Sequence, residues 1–133
     1  MLAARDITLA GRLAGVSATL EPGRITAICG PNGAGKSSLL ECLAGLLAPA
    51  SGTVMLDDQP LAALPPRARA QAIGYLPQTG EVAWDVAVRS LVALGRLPHR
   101  DARAEPVAAA LAALDLSGLA DRPVSRLSGG ERA

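Results

Sequence analysis

One run, Gly30-Pro31-Asn32-Gly33-Ala34-Gly35-Lys36-Ser37, restricts what this chain can fold into more than any other stretch. It meets the phosphate-cradling pattern G-x-x-x-x-G-K-[ST] at every fixed position. The pattern carries meaning only between a strand and a helix, and the flanks suit it. The nearly all-apolar Ile25-Thr26-Ala27-Ile28-Cys29 runs in as an expected central strand, covered on both faces. Ser37-Ser38-Leu39-Leu40-Glu41-Cys42-Leu43 runs out as an expected helix, with Leu39, Leu40, Leu43 and Leu47 as its apolar stripe. Gly30, Gly33 and Gly35 lack Cβ, so the loop can turn where other residues cannot and let phosphate oxygens approach. Successive N–H groups then line an anion site, reinforced by the helix N-terminus. Pro31, Asn32 and Ala34 complete the cradle. Lys36 brings an ammonium to the β- and γ-phosphates, and Ser37 a hydroxyl to Mg²⁺.

The rest of the chain reads around this loop. Residues 5–10 form an expected short strand. Val16, Ala18 and Leu20 alternate with Ser17 and Thr19 as a second, half-buried one. Glu21-Pro22-Gly23 is a turn. Gly45 and Pro49 end the loop's helix. Ser51-Gly52 opens a strand through Leu56 that closes at Asp57-Asp58, and Pro65-Pro66 can start a short helix through Gln71. Ala72–Leu76 reads as another strand, ending at Pro77-Gln78. From Thr79 the character turns helical. Asp85 is placed to N-cap a helix with apolar face Val88, Leu91 and Val92, and Gly95 to stop it. Pro106 opens a further helix, buried through Val107, Ala110, Leu111 and Leu114. Trp84 is expected to anchor packing. His99 is the only histidine and reads as surface, not as a catalytic group.

Composition excludes several roles. A formal net charge of +1 points to no nucleic-acid or membrane electrostatics. No apolar run approaches the ~18–20 residues that span a bilayer, and no secretory leader is expected. Cys29 and Cys42 are expected as small buried residues of a reducing compartment.

Leu127-Ser128-Gly129-Gly130-Glu131 lies near the last residue. Alone it is a two-glycine turn, or a helix start with Ser128 as N-cap. Its order in the chain says more. A phosphate loop, Gln78 after a strand, a helical insert and then L-S-G-G-E is the order of ATP-binding-cassette (ABC) ATPases. Over its whole length the chain resembles their nucleotide-binding domain. Gly30–Ser37 matches the Walker A motif, Gln78 the Q-loop glutamine, and Leu127–Glu131 the signature. Tyr75–Gln78 and Asp85–His99 further resemble the bacterial subfamily serving importers of metal chelates: ferric siderophores, haem or cobalamin.

The resemblance implies an α/β fold: a P-loop NTPase core with an N-terminal antiparallel β portion and an inserted helical subdomain. Residues 1–76 would be the N-terminal part of the core, 77–127 the Q-loop and helical subdomain, and 128–133 the signature and the start of the next helix. It implies ATP and Mg²⁺ as cofactors. Gly30 through Ser38 would hold the nucleotide, Ser37 and Gln78 would reach Mg²⁺, and Gln78 would position the attacking water. Two copies would meet head to tail, with Leu127, Ser128, Gly129, Gly130 and Glu131 closing on the partner's ATP. The cycle would drive membrane permease subunits from the cytoplasmic face of the inner membrane, with a periplasmic or extracellular binding protein engaged indirectly and no nucleic acid. An importer of metal chelates is the leading reading. A soluble cassette ATPase acting on DNA or ribosomes, and a non-catalytic nucleotide-binding fragment, are the alternatives.

Three departures from the family pattern shape these expectations. The family continues beyond a position like Ala133 with a strand ending in Asp, the catalytic Glu, a D-loop and a switch His. The chain therefore reads as a fold incomplete at the C-terminus, with no catalytic residue of its own. It is expected to bind nucleotide better than it hydrolyses it, whereas the full-length protein is expected to be an ATPase. No aromatic residue precedes Tyr75 to stack on adenine, so adenine is expected to be held more weakly and selectivity for ATP over GTP stays open. Ser38 stands where Thr is commoner, with no expected consequence.

Overall fold

The computed structural model describes residues 1–78 and 85–132. Thr79, Trp84 and Ala133 lie outside the described residues. The chain divides into two units, Met1–Tyr75 and Leu76–Ala133.

The first unit is built on an antiparallel sheet in the order β2-β1-β3-β4, with β1 Leu2–Leu9, β2 Leu13–Leu20, β3 Ser51–Leu56 and β4 Gln59–Pro60. This is the expected N-terminal antiparallel portion. The alternation in β2 holds: Val16, Ala18 and Leu20 are half-buried, and Ser17 and Thr19 are exposed. β1 is central and irregular. Its pairing slips between Arg5 and Thr8 against β3, and Asp6 stands at φ 52°. The Asp6 N–H donates instead to Ser17 Oγ across the hairpin at 2.9 Å. Helix α1, Lys36–Leu43, packs Leu39, Cys42 and Leu43 into one cluster with Ala4, Ile7, Leu13, Val54 and Leu61. Each Leu, Ile or Val among them contributes about 1.5–3 kcal/mol on full burial. Leu40, expected on this stripe, is 43% exposed, and Cys42 takes its place at 1%. At about 100° per residue, Cys42 and Leu43 flank Leu39, while Leu40 falls at the edge of that face. Burial pushes the Cys42 thiol up, with Glu41 adding to the shift. The helix ends as expected at Gly45. That glycine stands at φ 72°, its N–H donates to the Cys42 carbonyl, and Leu46 N–H donates to the Glu41 carbonyl. Helix α2, Pro66–Ala72, starts with proline at its first turn.

Two expected strands are absent. Residues 25–29 and 73–76 form no strand, Ile25 is fully exposed and Leu76 is 83% exposed. Cys29 is likewise exposed rather than buried. Strand formation needs a ladder for the backbone N–H and C=O groups. Among the described residues the ladders join only β1 to β4, and no neighbour pairs with either segment.

The second unit gathers short helices around Val88, Leu111 and Val124. These are α3 Val88–Ala93, a 3-10 stretch Leu94–His99, α4 Ala104–Ala113, 3-10 turns at Ser117–Leu119 and Val124–Arg126, and α5 Gly129–Arg132. The face Val88, Leu91 and Val92 packs inward as expected. In α4 only Val107 and Leu111 of the expected stripe do so. Leu114 is 72% exposed, because the helix ends at Ala113 and Asp115 turns the chain at φ 57°. Gly95 does not stop α3, which tightens into the 3-10 stretch until Arg100 turns at φ 54°.

Asp85 does not cap α3. The cap position is Ala87, and the first-turn N–H groups of Val88 and Arg89 donate to the backbone carbonyls of Arg122 and Ala120 at 3.0 and 2.9 Å. The orphan donors of a helix start are thus met from about 30 residues away, and no side chain is needed. Asp85 instead accepts the Ser125 N–H at 3.2 Å. Hydrogen bonds from the Ser125 side chain and then its backbone hold the Asp85 carboxyl below the usual carboxylate range, with Arg126 adding to the shift. A carboxyl depressed in the folded state contributes stability that is complete above its unfolded value near 3.9 and is lost as pH falls through the folded value. Asp85→Asn is expected to lower the thermal midpoint of the second unit at pH 7 and to flatten its decline between about pH 5 and 2. Asp101 and Glu131 shift the same way and supply the acid sensitivity that remains. An unchanged pH profile in Asp85→Asn would remove this role.

Candidate functional site: the phosphate loop

The loop from Gly30 to Ser37 sits on the first unit, carried at its outgoing end by α1. Gly33 stands at φ 82° and Gly35 at φ 85°. Both conformations are open to glycine and costly for side chains with a Cβ. Ala34 N–H donates to the Pro31 carbonyl at 3.3 Å, closing a turn at the tip. Gly35 is the cap residue of α1, and its carbonyl accepts the first helical bond from Leu39 N–H at 2.9 Å.

Two features suit this helix start to an anion. No side chain caps it, and its first turn holds no acidic residue. The early N–H groups are thus left for an outside acceptor, with the positive end of the helix behind them. Lys36 folds back across the loop. Its Nζ donates to the carbonyls of Gly30 at 2.9 Å and Pro31 at 2.7 Å. The ammonium is therefore held at the mouth of the cradle, bridging the end of the loop to its beginning. Ser37 is exposed and Ser38 is 7% exposed, so only the first hydroxyl faces outward. An outward hydroxyl at this position of the motif suits Mg²⁺, which takes few protein ligands and keeps phosphate oxygens and water around it. Among the described residues no cluster of His, Cys, Asp or Glu offers a metal a separate cage.

The remaining site residues lie on the second unit. Gln78 is exposed at its start. Leu127 leads from the Val124 cluster into α5. Ser128 and Glu131 form a reciprocal cap. Glu131 N–H donates to Ser128 Oγ at 3.3 Å, and Ser128 N–H donates to Glu131 Oε2 at 2.7 Å. Hydrogen bonding from the Ser128 backbone and then its side chain holds the Glu131 carboxyl below its usual range, with Arg122 nearby. Ser128 thus starts a helix, one of the two readings of L-S-G-G-E taken alone. His99 is exposed, in line with a surface role.

Sequence reading missed one residue beside the loop. Arg12, in the turn between β1 and β2, donates from Nη1 to Ser38 Oγ at 3.4 Å. Nothing in the local sequence around Arg12 signals this contact, which arises only when the hairpin folds onto α1.

Known proteins resemble this chain throughout. The model of the ABC transporter family matches residues 13–133. The hemin import ATP-binding protein HmuV of Pseudomonas entomophila is 47% identical over 123 residues, spanning 90% of this chain and 48% of that protein. The cobalamin import ATP-binding protein BtuD of Halobacterium salinarum is 38% identical over 134 residues, spanning 96% and 34%. The chain spans about half the length or less of these curated relatives. The inward-facing structure of a transporter assigned to the metal-chelate type superposes with a TM-score of 0.76 at 27% identity, over 98% of this chain and 51% of that one.

Proposed function

We propose that this chain, which belongs to the ABC transporter family, is part of the ATP-binding subunit of an importer and binds Mg·ATP at Gly30–Ser38. The observation that carries this is the loop itself: glycines at positive φ, an uncapped helix start without acidic residues, and Lys36 held across the mouth. Loop amides and Lys36 hold the β- and γ-phosphates. Ser37 reaches Mg²⁺, which neutralises phosphate charge when bound. Gln78 senses the γ-phosphate and orients water. Leu127 through Glu131 serve a second copy, head to tail. Triphosphate binding is the role we assign to this chain, and no residue of it is assigned as general base.

The cargo class we infer is a metal chelate, with haem and cobalamin the first candidates. The names of HmuV and BtuD support that inference, and the sequence of Asp85–His99 resembles that of the metal-chelate subfamily. No helix among the described residues is long and apolar enough to cross a membrane. By analogy with the importer subunits it resembles, we assign membrane work to permease subunits, with this protein peripheral on the cytoplasmic side. We assign the docking surface to the second unit. There α3 and α4 border a cavity of about 490 Å³, with Val107 and Leu111 in its wall and the paired Arg96 and Asp101 at its side. The full-length protein, solubilised in mild detergent, is expected to copurify with a multi-span permease. Recovery with ribosomes or DNA instead would overturn the transport reading and favour a soluble cassette ATPase.

A further inference from the structure

The end of the loop, where Lys36 and Ser37 leave it, is gripped on both sides by one residue of the hairpin. Arg12 closes the β1–β2 turn by donating its N–H to the Leu9 carbonyl at 2.9 Å. Its own carbonyl lies against Gly35. A Cβ built on Gly35 would meet Arg12 O at 2.5 Å and Leu13 Cδ2 at 2.7 Å, so the turn fits against the loop with no room for a methyl group. Its guanidinium donates to the Oγ of Ser38, a residue only 7% exposed, two positions beyond Lys36. Backbone at Gly35 and side chain at Ser38 therefore bracket the two residues that supply the ammonium and the hydroxyl.

We propose that Arg12 is a positioning residue for the phosphate loop. It fixes the first turn of α1 against the hairpin, so that Lys36 and Ser37 emerge in the orientation a triphosphate requires. A group that is preorganised costs less to order when its ligand arrives. Arg12 is exposed apart from this contact, so removing the guanidinium leaves the Ala4–Ile7–Leu13 core intact. The inference rests on the nucleotide-binding reading above.

The test titrates Mg·ATP and magnesium tripolyphosphate, which has no base or ribose, into the full chain and its variants, with thermal unfolding measured in parallel. Arg12→Met keeps the stem and loses the donor. It is expected to weaken both ligands equally, by about three- to tenfold, the range of one modest hydrogen bond, with little change in the unfolding midpoint. Ser38→Ala is expected to cause a similar loss. The double variant is expected to be no worse than either single one, because both remove the same contact. Arg12→Lys is expected to recover part of the affinity.

Wild-type affinity for both ligands in Arg12→Met overturns the proposal, as does strict additivity with Ser38→Ala. Loss of ATP binding with tripolyphosphate unaffected also overturns it, since Arg12 would then touch the nucleoside directly. If Arg12→Met unfolds, the Ser38→Ala and Arg12→Lys titrations decide by the same comparison. A wild-type chain that binds neither ligand removes the nucleotide-binding reading itself, an outcome distinct from a silent Arg12.

Discussion

Lys36→Ala is expected to lower affinity for Mg·ATP by roughly 10- to 150-fold, read in a titration with a fluorescent ATP analogue. The figure follows from losing a charge-assisted hydrogen bond worth about 1.5–3 kcal/mol. In the folded chain the ammonium already sits at the cradle mouth, bonded to the Gly30 and Pro31 carbonyls, so its side chain is ordered before ligand arrives. Phosphate oxygens compete for those donors as stronger, charged acceptors. The variant should stay folded, because both partner carbonyls lie in an exposed loop and can turn to water. Lys36→Arg is not expected to restore the site. The guanidinium is planar and forked, and cannot place a compact point charge within the same loop. Unchanged affinity in Lys36→Ala would place the triphosphate elsewhere and overturn the proposed site.

Parts of this molecule were legible because their determinants are local. The half-buried face of β2 follows from two-residue alternation at Val16, Ala18 and Leu20. The end of α1 follows from Gly45, which alone suits φ 72° there. The cap on α5 follows from Ser128 and Glu131 three residues apart. Other parts depend on contacts no local window holds. Ala87 serves as a cap position without a polar side chain because Ala120 and Arg122 lend their carbonyls, and Asp85 is thereby left to bind Ser125. Ile25–Cys29 carries a central strand's composition, but composition cannot supply the neighbouring ladder. At the loop, the positive φ of Gly33 and Gly35 follows from residue type. The buried hydroxyl of Ser38, and the arginine that meets it, follow only from how the hairpin folds onto α1.

Gly52→Ala is expected to cause the largest loss of stability of any single methyl added to the first unit, roughly 3–5 kcal/mol. Gly52 stands at φ 89°, which costs a residue with a Cβ about 1–2 kcal/mol before any contact is counted. The added carbon would then be driven into Asp6 O and lie 2.5 Å from both Arg5 O and the Asp6 carbonyl carbon. All three are backbone atoms, so no side chain can swing aside. Relief requires β1 to withdraw from β3 where Arg5 pairs with Thr53 and Thr8 with Ser51. That strand also carries Ile7 and Ala4, at 0% and 2% exposure, into the core on which α1 rests. Gly11→Ala provides the comparison, because φ there is 68° and nothing lies within 4 Å of an added Cβ. Urea unfolding of the two variants therefore separates steric from conformational cost, with Gly11→Ala expected to lose only about 1–2 kcal/mol. Equal midpoints for the two would show that β1 and β3 do not approach this closely. Gly52→Ala should also lose Mg·ATP binding, but in step with unfolding. Lys36→Ala loses it with the fold intact, and that contrast distinguishes the sheet that supports the phosphate loop from the loop itself.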